Sequence, residues 1–140
     1  TVSTTAYTYD EDTGLLLSSA VTDASGATTV RQTEYDALNR VTGIWEGARD
    51  DADAKKNTLI TYTYDSEGRL ASVAYPDGKS TSRTYDQHGQ LVSATDAAGA
   101  VTAYTYNSDG SLKAAVQKTA DGQTASAAYT YDSLGRPAKT

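Results

Sequence analysis

The stretch Tyr62-Thr63-Tyr64-Asp65-Ser66-Glu67-Gly68-Arg69-Leu70 decides how the chain folds, because the sequence rewrites it five more times. Two earlier copies run from Tyr7-Thr8-Tyr9-Asp10 to Gly14 and from Thr33-Glu34-Tyr35-Asp36 to Asn39-Arg40-Val41. Three later ones run from Thr84-Tyr85-Asp86 to Gly89-Gln90-Leu91, from Tyr104-Thr105-Tyr106-Asn107 to Gly110-Ser111-Leu112, and from Tyr129-Thr130-Tyr131-Asp132 to Gly135-Arg136. Between the tyrosines that precede each turn (Tyr9, Tyr35, Tyr64, Tyr85, Tyr106, Tyr131) the steps are 26, 29, 21, 21 and 25 residues. A period of that size signals a repeat architecture.

The word has a physical reading. Tyr-Thr-Tyr places aromatics on one face of a strand with a β-branched residue between them. The Asp that follows can accept a hydrogen bond from the backbone two residues on. Gly three residues later supplies the positive φ of a type I turn closed with a bulge. Asn39 stands for Gly in the second copy and tolerates the same conformation. Asn107 stands for Asp in the fifth and is expected to keep the side-chain acceptor. The first copy carries one extra loop residue between Asp10 and Gly14.

These six turns make the chain similar to the Rhs/YD-repeat family, which includes bacterial Rhs proteins, the C component of Tc insecticidal toxins and teneurins. The resemblance runs over essentially the whole chain. It implies a spiral of β-hairpins closing into a hollow shell, which in bacterial members encloses a C-terminal toxin. The Asp-Pro-centred motif that ends the bacterial Rhs core is missing, since the only prolines are Pro76 and Pro137. No non-repetitive toxin segment follows the repeats in this sequence.

Composition fits a sheet better than a compact core. Leu, Val, Ile and Phe supply 19 of 140 residues, below the roughly one-fifth that ordinary folded domains carry. A net charge of −6 is too mild for a disordered chain, and eleven tyrosines, Trp45 and abundant Thr favour strands. The expected fold class is all-β: about eleven antiparallel strands in a repetitive hairpin meander, curved into an arc of shell or fibre wall. At ~4.8 Å per strand such a sheet spans about 50 Å, and strand twist coils a sheet of that width.

The expected strands are 1–10, 15–22, 27–36, 41–45, 58–65, 70–75, 79–86, 91–95, 100–107, 112–118 and 123–132. They form a single YD-repeat region over residues 1–140, interrupted by a polar insertion loop at 47–57. The absence of Met points to a processed product or a segment of a longer chain or assembly. No signal peptide or membrane-spanning apolar run is evident. The acidic balance, with pI about 4.6, argues against a nucleic-acid partner.

Chemistry is sought and not found. His88 is the sole histidine, it sits in a turn, and no nucleophile motif accompanies it. One His and no Cys make no zinc set. Asp50, Asp51 and Asp53 lack calcium-loop spacing; Asp10-Glu11-Asp12-Thr13-Gly14 comes closer but reads as a turn variant. The paired turn carboxylates have structural work, so no catalytic, cofactor or metal residue is assigned and the chain is read as a non-enzyme. The structural residues are the repeated Tyr, Asp or Asn, and Gly or Asn of each turn. Stacked repeats are expected to align Tyr62/Tyr64, Tyr85 and Tyr104/Tyr106 as cross-strand ladders, and Arg40, Arg69 and Arg136 to pair with their turns. The function expected is a structural scaffold of a secreted or surface bacterial protein, walling a toxin or extending a fibre; the alternative is a carbohydrate-binding adhesion face. Expected partners are flanking repeats of the same chain or further copies by edge-strand pairing, with an enclosed toxin domain or glycans beyond them.

Overall fold

The computed structural model describes residues 3–47 and 57–138. The chain divides into two compact units, Thr1–Gly78 and Lys79–Thr140. In the first, β1 (Thr4–Tyr9), β2 (Leu16–Thr22), β3 (Thr28–Tyr35), β4 (Val41–Glu46), β5 (Thr58–Tyr64) and β6 (Leu70–Ala74) lie side by side in chain order. In the second, β7 (Ser80–Tyr85), β8 (Leu91–Thr95), β9 (Val101–Tyr106), β10 (Leu112–Lys118) and β11 (Thr124–Ala128) do the same, and β12 (Thr130–Tyr131) pairs with β13 (Pro137–Ala138) in a separate ribbon. The all-β antiparallel meander read from the sequence is the fold.

Each turn closes as its chemistry dictates. At the third copy Gly68 N–H donates to the Asp65 carbonyl at 3.0 Å and Asp65 N–H to the Arg69 carbonyl at 2.9 Å. Gly68 sits at φ 83° and Asn39 at φ 61°, the left-handed region that glycine enters freely and Asn more readily than other residues. One residue into the strands the register slips: Thr63 faces Ser72 but Tyr64 faces Leu70, so Ala71 is bulged. The same slip recurs between Thr8 and Tyr9, Glu34 and Tyr35, Thr84 and Tyr85, and on the β9–β10 pair beside Tyr106. A bulge adds local twist at one fixed end of each hairpin. The turns at the opposite end use the same wording: in Asp23–Gly26 and Asp96–Gly99, Gly N–H again donates to the Asp carbonyl at 3.0 Å.

Neither unit has a conventional core. Gln32, Gly43, Val73 and Ala100 are the buried residues among those described, and none of the described side chains is fully enclosed. Cohesion comes from ladder hydrogen bonds and from packing within one layer, consistent with the low aliphatic content.

Two departures from the expected strands have local causes. The strand expected over 123–132 breaks at Tyr129, whose N–H donates to the Lys113 carbonyl at 2.9 Å. Lys113 is the bulged residue of β10, so β11 meets an irregular partner there and resumes as β12. Gly47, expected to open the polar insertion, belongs to the sheet: its N–H donates to the Val30 carbonyl at 2.8 Å, and its carbonyl accepts from Gln32 Nε2 at 3.3 Å. Most of the insertion expected at 47–57, with Asp50, Asp51 and Asp53, lies outside the described residues.

Candidate functional site: the clasp between hairpins

The repeated residues converge on the bulged end of each hairpin. Asp65 Oδ1 accepts from Glu67 N–H at 3.0 Å and Arg69 N–H at 2.8 Å, while Oδ2 takes Arg69 Nε at 2.7 Å. Asp36 with Arg40 and Asp132 with Arg136 repeat that geometry, each with a 2.7 Å contact from Nε. The arginines thus pair with their own turns, as expected. Asp86 accepts from His88 and Gln90 N–H at 2.8 and 2.9 Å, so His88 serves the turn through its backbone while its ring stays exposed.

The fifth copy solves the problem differently from the expectation. Asn107 supplies a donor, not the expected acceptor: its Nδ2 donates to Ser111 Oγ at 2.8 Å. The acceptor role moves to Asp109, whose Oδ1 takes both Ser111 N–H and Ser111 Oγ, at 2.9 and 2.6 Å. Ser111 has committed its hydroxyl proton to Asp109, so it can only accept from residue 107.

These contacts lower carboxyl pKa values. The Arg40 side-chain hydrogen bond, then its backbone N–H, holds Asp36 below the ordinary carboxylate value. At Asp65 burial pulls upward, and the Arg69 backbone and side-chain contacts outweigh it. At Asp132 the Arg136 backbone N–H leads, followed by its side chain. A folded-state pKa below the unfolded one means the folded chain binds fewer protons. The resulting stability is complete above about pH 4 and is lost as pH falls through the folded values. The melting temperature is therefore expected to hold steady from mild acid to neutrality and to drop below about pH 4. Circular dichroism melts of the wild type and of Asp36→Asn check this, the variant showing the shallower drop.

Among the described residues within each unit, no ring pair of the expected cross-strand ladders forms. Within a unit, tyrosine strands alternate with return strands, so successive tyrosine strands stand two strands, about 10 Å, apart. The ring pair that forms, Tyr7 with Tyr9 at 6.4 Å, lies within one strand. Instead, in four repeats the tyrosine before the turn reaches back across the preceding hairpin. Tyr35 Oη donates to the Leu16 carbonyl at 2.9 Å, Tyr64 to Val41 at 2.8 Å, Tyr106 to Leu91 at 2.8 Å and Tyr131 to Leu112 at 2.9 Å. The acceptor is always the first residue of a return strand.

The ladders explain why. Pairing of β2 with β3 ends at Ser18 and Gln32, of β4 with β5 at Gly43 and Thr61, of β8 with β9 at Ser93 and Ala103. Beyond those points neighbouring hairpins splay, leaving one carbonyl with no strand opposite. The tyrosine hydroxyl takes that place, satisfying a group whose desolvation without a partner is costly. A second contact follows the same path: the Arg40 guanidinium lies 4.3 Å from the centre of the Tyr64 ring. Its Nη1 stands 3.0 Å from where a Cβ on Gly68 would lie. Gln90 acts similarly, donating to the Gly110 carbonyl at 3.3 Å.

The splay also opens clefts. A cleft of about 440 Å³ lies between the first two hairpins, lined in part by Asp10, Leu15, Leu17, Gln32 and Trp45. Gln32, only 5% exposed, forms part of its wall. Among the described residues no group of three His, Cys, Asp or Glu is placed to hold a metal, and no helix is long and apolar enough to cross a membrane. The residues that recur thus perform hydrogen bonding between hairpins, four of which grip the hairpin before them within its own unit.

Known proteins share this fold. The teneurin YD-shell family matches residues 1–96 and the RHS repeat matches residues 85–124. No curated protein matches the chain. Among solved structures, one described as "Crystal Structure of TcdB2-TccC3" is similar at a TM-score of 0.67 and 21% identity over 95% of this chain. Another, "Crystal Structure of TcdB2-TccC3-TEV", is similar at 0.66 and 18% over 89%. The chain spans only 7% and 6% of those two proteins, and at such identities they share its fold. With more than half its length matched by the family, the chain belongs to the teneurin YD-shell family.

Proposed function

We propose that the chain is a length of structural wall in a secreted or surface-displayed bacterial protein, part of a β-shell that encloses a toxin domain. It serves as a single region of about six repeats within a longer chain. The observation that carries the reading is the clasp itself: four tyrosine hydroxyls each tie one hairpin to the one before it. The recurrent side chains are spent on joining repeats. A wall needs continuous lateral cohesion and no reaction centre, and a one-layer sheet supplies that cohesion with little apolar mass.

Electron microscopy and limited proteolysis of the full gene product test the reading. A hollow particle that shields an internal segment from protease until it is denatured is the expected result. A solid or extended particle whose segments are all cleaved at the rate of the unfolded chain overturns it, an extended particle favouring the fibre.

A further inference from the structure

On one face of the β3–β4 hairpin four neighbouring positions break the repeat. Glu34 stands where the other five copies place Thr8, Thr63, Thr84, Thr105 and Thr130. It faces Gly43, where the equivalent pairs are Thr8 with Ser18, Thr63 with Ser72, Thr84 with Ser93 and Thr105 with Ala114. The next pair on that face is Gln32 with Trp45. Other hairpins pair Ala6 with Ala20, Thr61 with Ala74, Ser82 with Thr95 and Ala103 with Val116 there. Small side chains therefore suffice to build a hairpin at these positions, and a carboxylate, an amide and the chain's one indole are surplus to it.

The surplus groups converge. From the place a Cβ on Gly43 would take, Glu34 Oε2 is 3.7 Å away and Trp45 Cζ3 3.8 Å, so carboxylate and ring approach each other over the bare glycine. Gln32 is 5% exposed; its Nε2 is committed to the Gly47 carbonyl, and its Oε1 accepts from no described residue. Such an oxygen gains from a donor brought by a ligand. Gln32, Glu34 and Trp45 all line the cleft of about 440 Å³, to which Leu15 and Leu17 give an apolar side and Asp10 a second carboxylate. Among the described residues no Lys or Arg lines it. An indole, two carboxylates and an open amide oxygen complement a cation that carries several N–H donors.

We infer that this cleft binds a guanidinium group on an apolar stem, as carried by an arginine side chain or a free alkylguanidine. The planar head lies against the Trp45 ring and donates to the Glu34 carboxylate and to Gln32 Oε1, while the stem runs along Leu15 and Leu17. Glu34 already makes other contacts, but a carboxylate offers about four lone-pair sites and accepts from a ligand as well. A lysine ammonium has no plane to lay on the ring and binds less tightly. This goes beyond the role of a wall, and it needs only the first two hairpins, both inside one unit.

Trp45 is the chain's one tryptophan, so its fluorescence reports the site directly. Titrating the 140-residue chain with an acetylated and amidated Gly-Arg-Gly peptide, and with butylguanidine, is expected to give a saturable change in emission with Kd on the order of 1–10 mM. Both arms saturating supports the site; equal Kd values identify a free guanidine as sufficient, and a tighter peptide identifies an arginine in a protein segment. The lysine peptide is expected to bind about fivefold more weakly and the citrulline peptide not to saturate. Glu34→Thr and Gln32→Ala write residues that other copies carry and keep Trp45. They are expected to weaken the arginine peptide about tenfold and about threefold, with circular dichroism unchanged. The isosteric Glu34→Gln gives the tenfold loss independently of any effect of Glu34→Thr on folding. A response that does not saturate, equal Kd values for wild type and Glu34→Gln, or saturation by the citrulline peptide or a neutral monosaccharide in place of the arginine peptide overturns the inference.

Discussion

Tyr64→Ala is expected to cost about 3 kcal/mol of stability, whereas Tyr64→Phe costs about 1 kcal/mol. The phenylalanine variant removes only the hydroxyl and leaves the Val41 carbonyl, 2.8 Å away in the wild type, to whatever water reaches it. The alanine variant also removes a half-buried ring and the surface over which Arg40 is held at 4.3 Å. Tyr7 provides the control. It is 58% exposed and its ring contact is with Tyr9, so Tyr7→Ala is expected to cost less than about 1 kcal/mol. Urea denaturation of the three variants checks the order. If Tyr64→Phe matches the wild type, or Tyr7→Ala costs as much as Tyr64→Ala, the tyrosine clasp is not what joins the hairpins.

Gly68→Ala is expected to cost about 2 kcal/mol, and Gly14→Ala about half as much. Both glycines have positive φ, 83° and 70°, so a Cβ strains either. Only at Gly68 does it also meet Arg40 Nη1 at 3.0 Å, pushing the guanidinium off Tyr64. Ser66, whose hydroxyl donates to the exposed Glu67 at 2.7 Å, is expected to tolerate alanine at a few tenths of a kcal/mol. Thermal melts of the three variants give the comparison. Equal losses at Gly68 and Ser66 would remove the turn assignment, and equal losses at Gly68 and Gly14 would remove the role of Arg40 between hairpins.

The clasp leaves a trace in composition. The chain has eleven Tyr and no Phe, which is hard to explain if rings alone are needed and expected if the hydroxyl is. The residue two before each turn Asp or Asn is the trace within the repeat: it is Thr8, Glu34, Thr63, Thr84, Thr105 and Thr130, while the residue immediately before is Tyr in all six copies. In four of those copies the tyrosine hydroxyl is the group that holds the preceding hairpin.

The amino-acid sequence by itself determined the strands, their hairpin order and the positive φ of the turn residues. Those features rest on interactions closing within about five residues: Asp65 with Glu67 and Arg69, Gly68 with Asp65. Local chemistry of that kind is written in consecutive letters. Tertiary structure alone decided what the tyrosine hydroxyls hold, because their acceptors lie 15 to 23 residues back in the chain. That choice depends on where the ladder between two hairpins ends, and so on the register of both strands. The break at Tyr129 and the exchange of roles between Asn107 and Asp109 have the same origin. Each is settled by which backbone group a bulge or a committed hydroxyl leaves available, and geometry supplies that answer where residue type does not.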